Sequence, residues 1–229
     1  MATPSLLLLL ADGRFPAGAH AHSGGLEAAV AAGRVTDLAS LEAFLTGRLA
    51  TAGLVGAAFA AAAHRAAVAE TAARSDALAR LDAELDARTA APALRAVSRR
   101  QGRALLRAGR AIWSDAPFAD LPATPGGAHQ PLVLGLLCAA AGMSRVETAT
   151  IAAYGTLTGA ASAGVRLLGL DPYRVQALLV GLADACDGTA ADAARAADDP
   201  PERLPAAAAP LADIHAEIHA TWEVRLFAS

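Results

Sequence analysis

His20 and His22 stand two apart in the stretch RFPAGAHAHSGGLEAAVAAGRV, Arg14 to Val35, and His215 and His219 stand four apart near the other end of the chain. Alternate side chains of extended backbone share a face, and neutral imidazole is a good ligand for nickel or zinc, so His20 and His22 are the candidate metal ligands. Two ligands do not close a site, and no Cys, Asp or third His lies beside them, which leaves turn packing or hydrogen bonding as the simpler role. His215-Ala-Glu-Ile-His219 puts two imidazoles one helical turn apart, but its glutamate points off the face that a metalloprotease base requires. A metal-dependent helical enzyme using the His20/His22 and His215/His219 pairs is the alternative reading.

Ser23-Gly24-Gly25 ahead of a helical run offers backbone donors to a phosphate, yet the chain has neither a GxxxxGK[ST] loop nor GxGxxG. The glycines fit a sharp entry and close helix packing, with Glu27 well placed in the positive first turn. No Ser/His/Asp set can be assembled from local spacing. Arg99, Arg103, Arg107 and Arg110 recur at helical spacing and suit carboxylate or phosphate, or simply a solvated face.

These groups must be positioned by helices. Ala, Leu and Arg dominate and apolar positions recur at three and four, so the expected fold is all-α, a single-domain bundle of about eight to ten helices over residues 1–229. Hydrophobic residues make up 55% and aromatics 4%, so the core is built from small aliphatic side chains. The spacing predicts helices from about 24 to 32, closed by Gly33, and from Leu38 on behind Thr36-Asp37, with Gly53 and Gly56 as possible breaks. Ser75-Asp76 caps a further one, 77–88, with Arg80, Asp82, Glu84 and Asp86 on a solvated face. Helices follow over 93–112 behind Pro92 and from Pro131 to Gly142. A capping box Ser144–Glu147 opens another to Leu168, and Asp171-Pro172 starts one ending at Asp187 with Gly188 as its stop. Leu211 to Thr221 is the last, trailing into residues 222–229, and Pro117, Pro122, Pro125 and Gly126-Gly127 mark a loop between two helical halves.

The net charge of −3 argues against a nucleic-acid or anionic-membrane partner. All 19 basic residues are Arg, which a GC-rich genome explains most cheaply. Cys138 and Cys186, far apart in apolar stretches, read as core residues of a cytoplasmic protein, and Leu6 to Leu10 has no basic region before it to make a secretory leader. The uncharged run Pro131 to Met143 falls short of the roughly 20 residues that cross a bilayer, so no membrane is expected despite a mean hydropathy of +0.37. The tail, with Leu226-Phe227 as apolar anchors where chains usually turn polar, is expected to dock on this chain's body or on a partner.

Phe15-Pro-Ala-Gly18-Ala-His20-Ala-His22-Ser23-Gly24-Gly25-Leu-Glu27 resembles the N-terminal signature of the urease accessory protein UreF family, and Arg225-Leu-Phe-Ala-Ser229 resembles its C-terminal tail. Leu94-Arg95 with Gly102, His129-Gln-Pro131 and Val165-Arg166-Leu-Leu168 fall where the family has similar stretches. The resemblance implies a dimerising, cytoplasmic protein without catalysis of its own. It would join UreD (also called UreH) and the GTPase UreG on apo-urease, with nickel as a delivered ion, no tightly bound cofactor, and GTP bound by the partner only. Partner contacts are then expected at Pro16, Gly18, His22, Ser23, Gly25, Glu27, Arg166, His219, Arg225, Leu226, Phe227 and Ser229. The chain departs from the family pattern at His20, His22 and Gly24, where aromatics and a Gln are common, at Asp171, in place of a Pro-Leu-Gly-Gln run, and at Ala228, in place of a basic residue.

Overall fold

A computed structural model describes residues 3–16, 18–69 and 73–229. The chain runs α1 (Pro4–Ala11), α2 (Leu26–Ala31), α3 (Leu38–Arg48), α4 (Leu54–Val68), α5 (Arg74–Arg88), α6 (Pro92–Ile112), α7 (Gln130–Ala140), α8 (Arg145–Leu168), α9 (Pro172–Gly181), α10 (Ala183–Ala196) and α11 (Pro210–Ala220). A π-helical turn, Leu49–Gly53, joins α3 to α4 without a break, so the expected interruption at Gly53 is a widened turn and Leu38–Val68 is one helix of 31 residues. With that helix counted once, the described residues form ten helices, and the fold is all-α.

The centre of the bundle is α4, whose run Ala57 to Ala63 is almost wholly buried, with α7, α8 and α10 packed around it. Small side chains make that closeness possible. A Cβ on Gly135 of α7 would lie 2.4 Å from the carbonyl oxygen of Ala60, so the two backbones meet where neither carries bulk. Gly102 does the same for α6, since a Cβ there would lie 2.1 Å from the carbonyl oxygen of Ala128. By length and composition alone Leu38–Val68 could cross a bilayer, a possibility hidden if a break is read at Gly53; here its alanines are core.

Local signals position most helix ends. Ser144 accepts from the N–H of Glu147 at 3.2 Å while Glu147 accepts from that of Ser144 at 2.7 Å, closing the box that starts α8, and Gly169 stops it at φ 61°. Asp171 accepts from the N–H of Tyr173 at 2.9 Å, so its departure from the family pattern makes a cap for α9. Three further expectations fail. Ser75-Asp76 lies within the first turn of α5, which starts at Arg74 with Ala73 as its N-cap and no side-chain cap. The helix from Asp171 breaks at Leu182, and Gly188 lies inside α10 because tertiary packing of Cys186 and Ala190 overrides its low helical propensity. The charge run of α5 is not a solvated face: Asp82 is buried, and Arg99 turns inward to pair with Asp82 and Asp86, at 2.9 Å each, which leaves Arg103, Arg107 and Arg110 as the exposed part of the α6 stripe.

Candidate functional site

The two ends of the chain meet. Gly25, at φ 90°, is the N-cap of α2 and turns the preceding segment so that Ser23 and Glu27 face inward. Glu27 is buried and accepts three hydrogen bonds: from the backbone N–H of Leu226 at 2.7 Å, from that of Phe227 at 3.0 Å, and from Nε2 of His219 on α11 at 2.9 Å. An ionised carboxylate only accepts, so the His219 proton sits on Nε2. Burial alone would raise the Glu27 pKa, but the bonds from Leu226, His219 and Phe227 outweigh it and hold the carboxyl below its usual range.

The last residues run on along the N-terminal segment. The N–H of Ala228 donates to the carbonyl of Ala21 at 2.7 Å, and the carbonyl of Ser229 accepts from both the N–H and the hydroxyl of Ser23, at 2.6 and 2.7 Å. Nδ1 of His22 lies 2.7 Å from the Ser229 hydroxyl, and burial, with the Arg100 and His20 charges, lowers its pKa to about 4. Phe227 is the apolar anchor, buried beneath Arg166 of α8, whose guanidinium carbon lies 4.7 Å from the ring centroid. Trp222 closes the other side against His219, with ring centroids 4.7 Å apart.

Of the expected contact residues, His22, Ser23, Glu27, Arg166, His219, Phe227 and Ser229 are therefore gathered into one clasp, positioned by Gly25. Arg225 and Leu226 stay exposed on its rim, and Pro16 and Gly18 (φ 74°) lie in the turn leading to it. Ala17, part of the same stretch, lies outside the described residues. His20 is exposed and His215 half-buried, while His219 is committed to Glu27. Among the described residues no group of three or more His, Cys, Asp or Glu stands close enough to hold an ion, so the two His pairs do not combine into the metal site that the alternative reading requires.

Local spacing missed two features. Ser98, His129 and Asp86 form a hydrogen-bonded series across α6, the start of α7 and α5, with Ser98 Oγ 3.0 Å from His129 Nδ1 and His129 Nε2 2.8 Å from Asp86. Its resemblance to a nucleophile triad is superficial, because the imidazole is fully buried, Ser98 also accepts from the N–H of Gln130 at 3.3 Å, and Asp86 is shared with Arg99. Burial lowers the His129 pKa and keeps it neutral, so the series is a polar joint between helices. The second is Arg48, whose guanidinium lies against Gly24: a Cβ there would stand 2.8–2.9 Å from its Cζ, Nη2 and Nε. A side chain at 24 would compete with the Arg48 guanidinium for one space, and the φ of 65° at Gly24 disfavours any other residue there as well.

The fold and the clasp define an all-helical protein whose N-terminal segment and C-terminal residues are tied together through Ser23, Glu27, His219 and the backbone of residues 226–229. The chain belongs to the UreF family of urease accessory proteins: the UreF family model matches residues 35–183. It is 43% identical over 229 residues to the urease accessory protein UreF of Mycolicibacterium vanbaalenii and 45% identical to that of Mycobacterium marinum, covering all of each chain. The UreF of Mycobacterium tuberculosis strain H37Rv is 44% identical over 193 residues, 84% of this chain and 86% of the relative. The family match starts after the N-terminal lip and ends before the tail, whereas the two full-length relatives span both.

Proposed function

We propose that this chain is a non-catalytic chaperone of urease maturation that assembles, as a homodimer in the cytoplasm, with UreD (UreH) and the GTPase UreG on apo-urease and promotes nickel insertion. Nickel is cargo in this reading and GTP belongs to the partner. The observation that carries it is the clasp within a chain of this family: Glu27, Ser23 and Ala21 fix the backbone of residues 226–229, and Phe227 pins it, so Arg225 and Leu226 are presented on a rigid rim beside the lip. An ordered rim binds with less entropy lost than a free tail does, and an arginine next to an exposed leucine is the composition of an interface hot spot.

The test is complementation of a strain lacking this gene, with urease activity and the nickel content of purified urease as readouts. The intact chain is expected to restore both, and a chain lacking 225–229 to restore neither while no longer copurifying with UreD. Copurification of the truncated chain at the level of the intact one removes the tail from the mechanism, and no effect of the intact chain on urease nickel rejects the proposal.

A further inference from the structure

Arg48 has no hydrogen-bonding or ionic side-chain partner among the described residues, in which Arg88 and Arg99, also turned inward, are paired. It sits in the last turn of α3, just before the π-helical turn, and its guanidinium lies face-on over Gly24, whose missing side chain and φ of 65° make the space. Arg99 has Asp82 and Asp86, and Arg88 has the Glu84 carboxylate and five backbone carbonyls. Arg48 has none: among the described residues no carboxylate or carbonyl bonds to its side chain, and its Nε is buried without an acceptor. Burial with no compensating charge brings its pKa down to about 10, still cationic at neutral pH. Its Nε is a buried donor without a partner and carries its full desolvation cost, while the rest of the half-buried side chain meets the groove.

The side chain opens on a groove of about 1630 Å³ whose lining includes Leu7, Phe44, Thr51, Gly159 and Arg166. That lining holds five arginines against two carboxylates, Asp12 and Asp213, and Asp12 is already bridged by Arg14 at 2.8 Å. We infer that Arg48 is the receptor for a carboxylate carried into this groove by an acidic, apolar segment of a partner polypeptide. The planar guanidinium, held flat by Gly24, presents a fork of donors that suits a carboxylate. The groove is far larger than a free small anion needs and largely apolar, so its occupant brings hydrophobic side chains with the acid. This goes beyond the clasp, because it adds to the Arg225–Leu226 rim a second contact, on α3, for an acidic and apolar segment of a partner polypeptide.

The experiment measures binding of a fluorescein-labelled decapeptide alternating leucine and glutamate, and of its leucine–glutamine counterpart, to the full chain and to Arg48→Met and Arg48→Gln. The intact chain is expected to bind the glutamate peptide at least tenfold more tightly than the glutamine peptide. That preference is expected to fall below threefold in both variants, whose melting temperatures match or exceed that of the parent because an uncompensated charge has gone. Equal binding of the two peptides by the parent, or a preference that survives in the variants, overturns the proposal. So does failure of both variants to fold, since a charge that awaits a ligand is dispensable for folding. Sodium acetate replacing chloride at constant ionic strength is the last arm: a melting-temperature rise with acetate, dependent on Arg48 and without peptide binding, assigns the site to a small carboxylate and rejects the polypeptide.

Discussion

Glu27 and His219 lie 192 positions apart in the chain and meet through a single hydrogen bond of 2.9 Å. Around that bond the extended residues 226–229 are held chiefly by their backbone, so the clasp reads chain direction and spacing more than side-chain identity, with Phe227 as the exception.

Replacing Glu27 by Gln removes the charge and turns one acceptor into a donor, which faces the Leu226 N–H if it takes the place of Oε1 and both His219 and the Phe227 N–H if it takes that of Oε2. Each hydrogen bond to a charged acceptor contributes roughly 1.5–3 kcal/mol. Amide hydrogen exchange at Leu226, Phe227 and Ala228 is expected to accelerate at least tenfold in Glu27→Gln, with the amides of α4 unchanged. Protection that stays at the parent level shows that the carboxylate does not hold the tail.

Acid should open the clasp in two stages. His22 has a folded pKa lowered from 6.5 to about 4, so its contribution is complete above pH 6.5 and erodes as the pH falls from 6.5 towards 4, where the released state takes the proton first. Glu27, lowered from 4.5, contributes fully above 4.5 and loses that contribution as the pH falls through its folded value. Exchange of the Ala228 amide across pH 7 to 4, corrected for intrinsic rate, is expected to rise in the parent and to be flat down to about pH 4.5 in His22→Asn.

Arg99 neutralises buried Asp82 and also holds Asp86 and the carbonyl of Gly127, the last at 2.6 Å. Arg99→Met strands that buried carboxylate, and breaking a buried pair from one side costs roughly 3–5 kcal/mol. Urea denaturation should show a loss of unfolding free energy of that size, read as a lower midpoint at unchanged slope, while Arg107→Met, on the exposed part of the same helix, leaves the midpoint within error.

Gly24→Ala combines an unfavourable positive φ with a collision against Arg48 at 2.8 Å. A loss of about 1 kcal/mol or more is expected, part of it recovered in Gly24→Ala/Arg48→Met, where the flexible thioether yields. Equal losses in the single and double variants would show that strain at φ, and not the guanidinium, sets the cost.

What could be read from the sequence was local or periodic. The Ser144–Glu147 box, the Asp171-Pro172 start and the glycine stop at 33 announce themselves within four residues, and all are found in the structure. Gly188 uses the same vocabulary misleadingly, because packing of α10 against α4 and α8 keeps it helical. Asp82 and Asp86 share a helix face, but periodicity cannot tell water from Arg99 and His129 as the thing they face. The residues of the clasp are legible at both ends, yet nothing short of three-dimensional structure tells that Ser229 reaches Ser23 or that Arg48 fills the space above Gly24.

The widened turn at Leu49–Gly53 sets a rule for how this chain can change. It absorbs one residue that a regular helix would not accommodate, and each residue of an α-helix turns its successors by about 100°. Losing a single residue there would close the widened turn into regular helix and leave Ala57 to Ala63 facing α7, whereas a loss in the regular part between Leu54 and Ala57 would swing that face away. Single-residue length variation in the helix Leu38–Val68 of related chains should accordingly fall at the widened turn, and larger variation in the connection around Pro122 to Gly127.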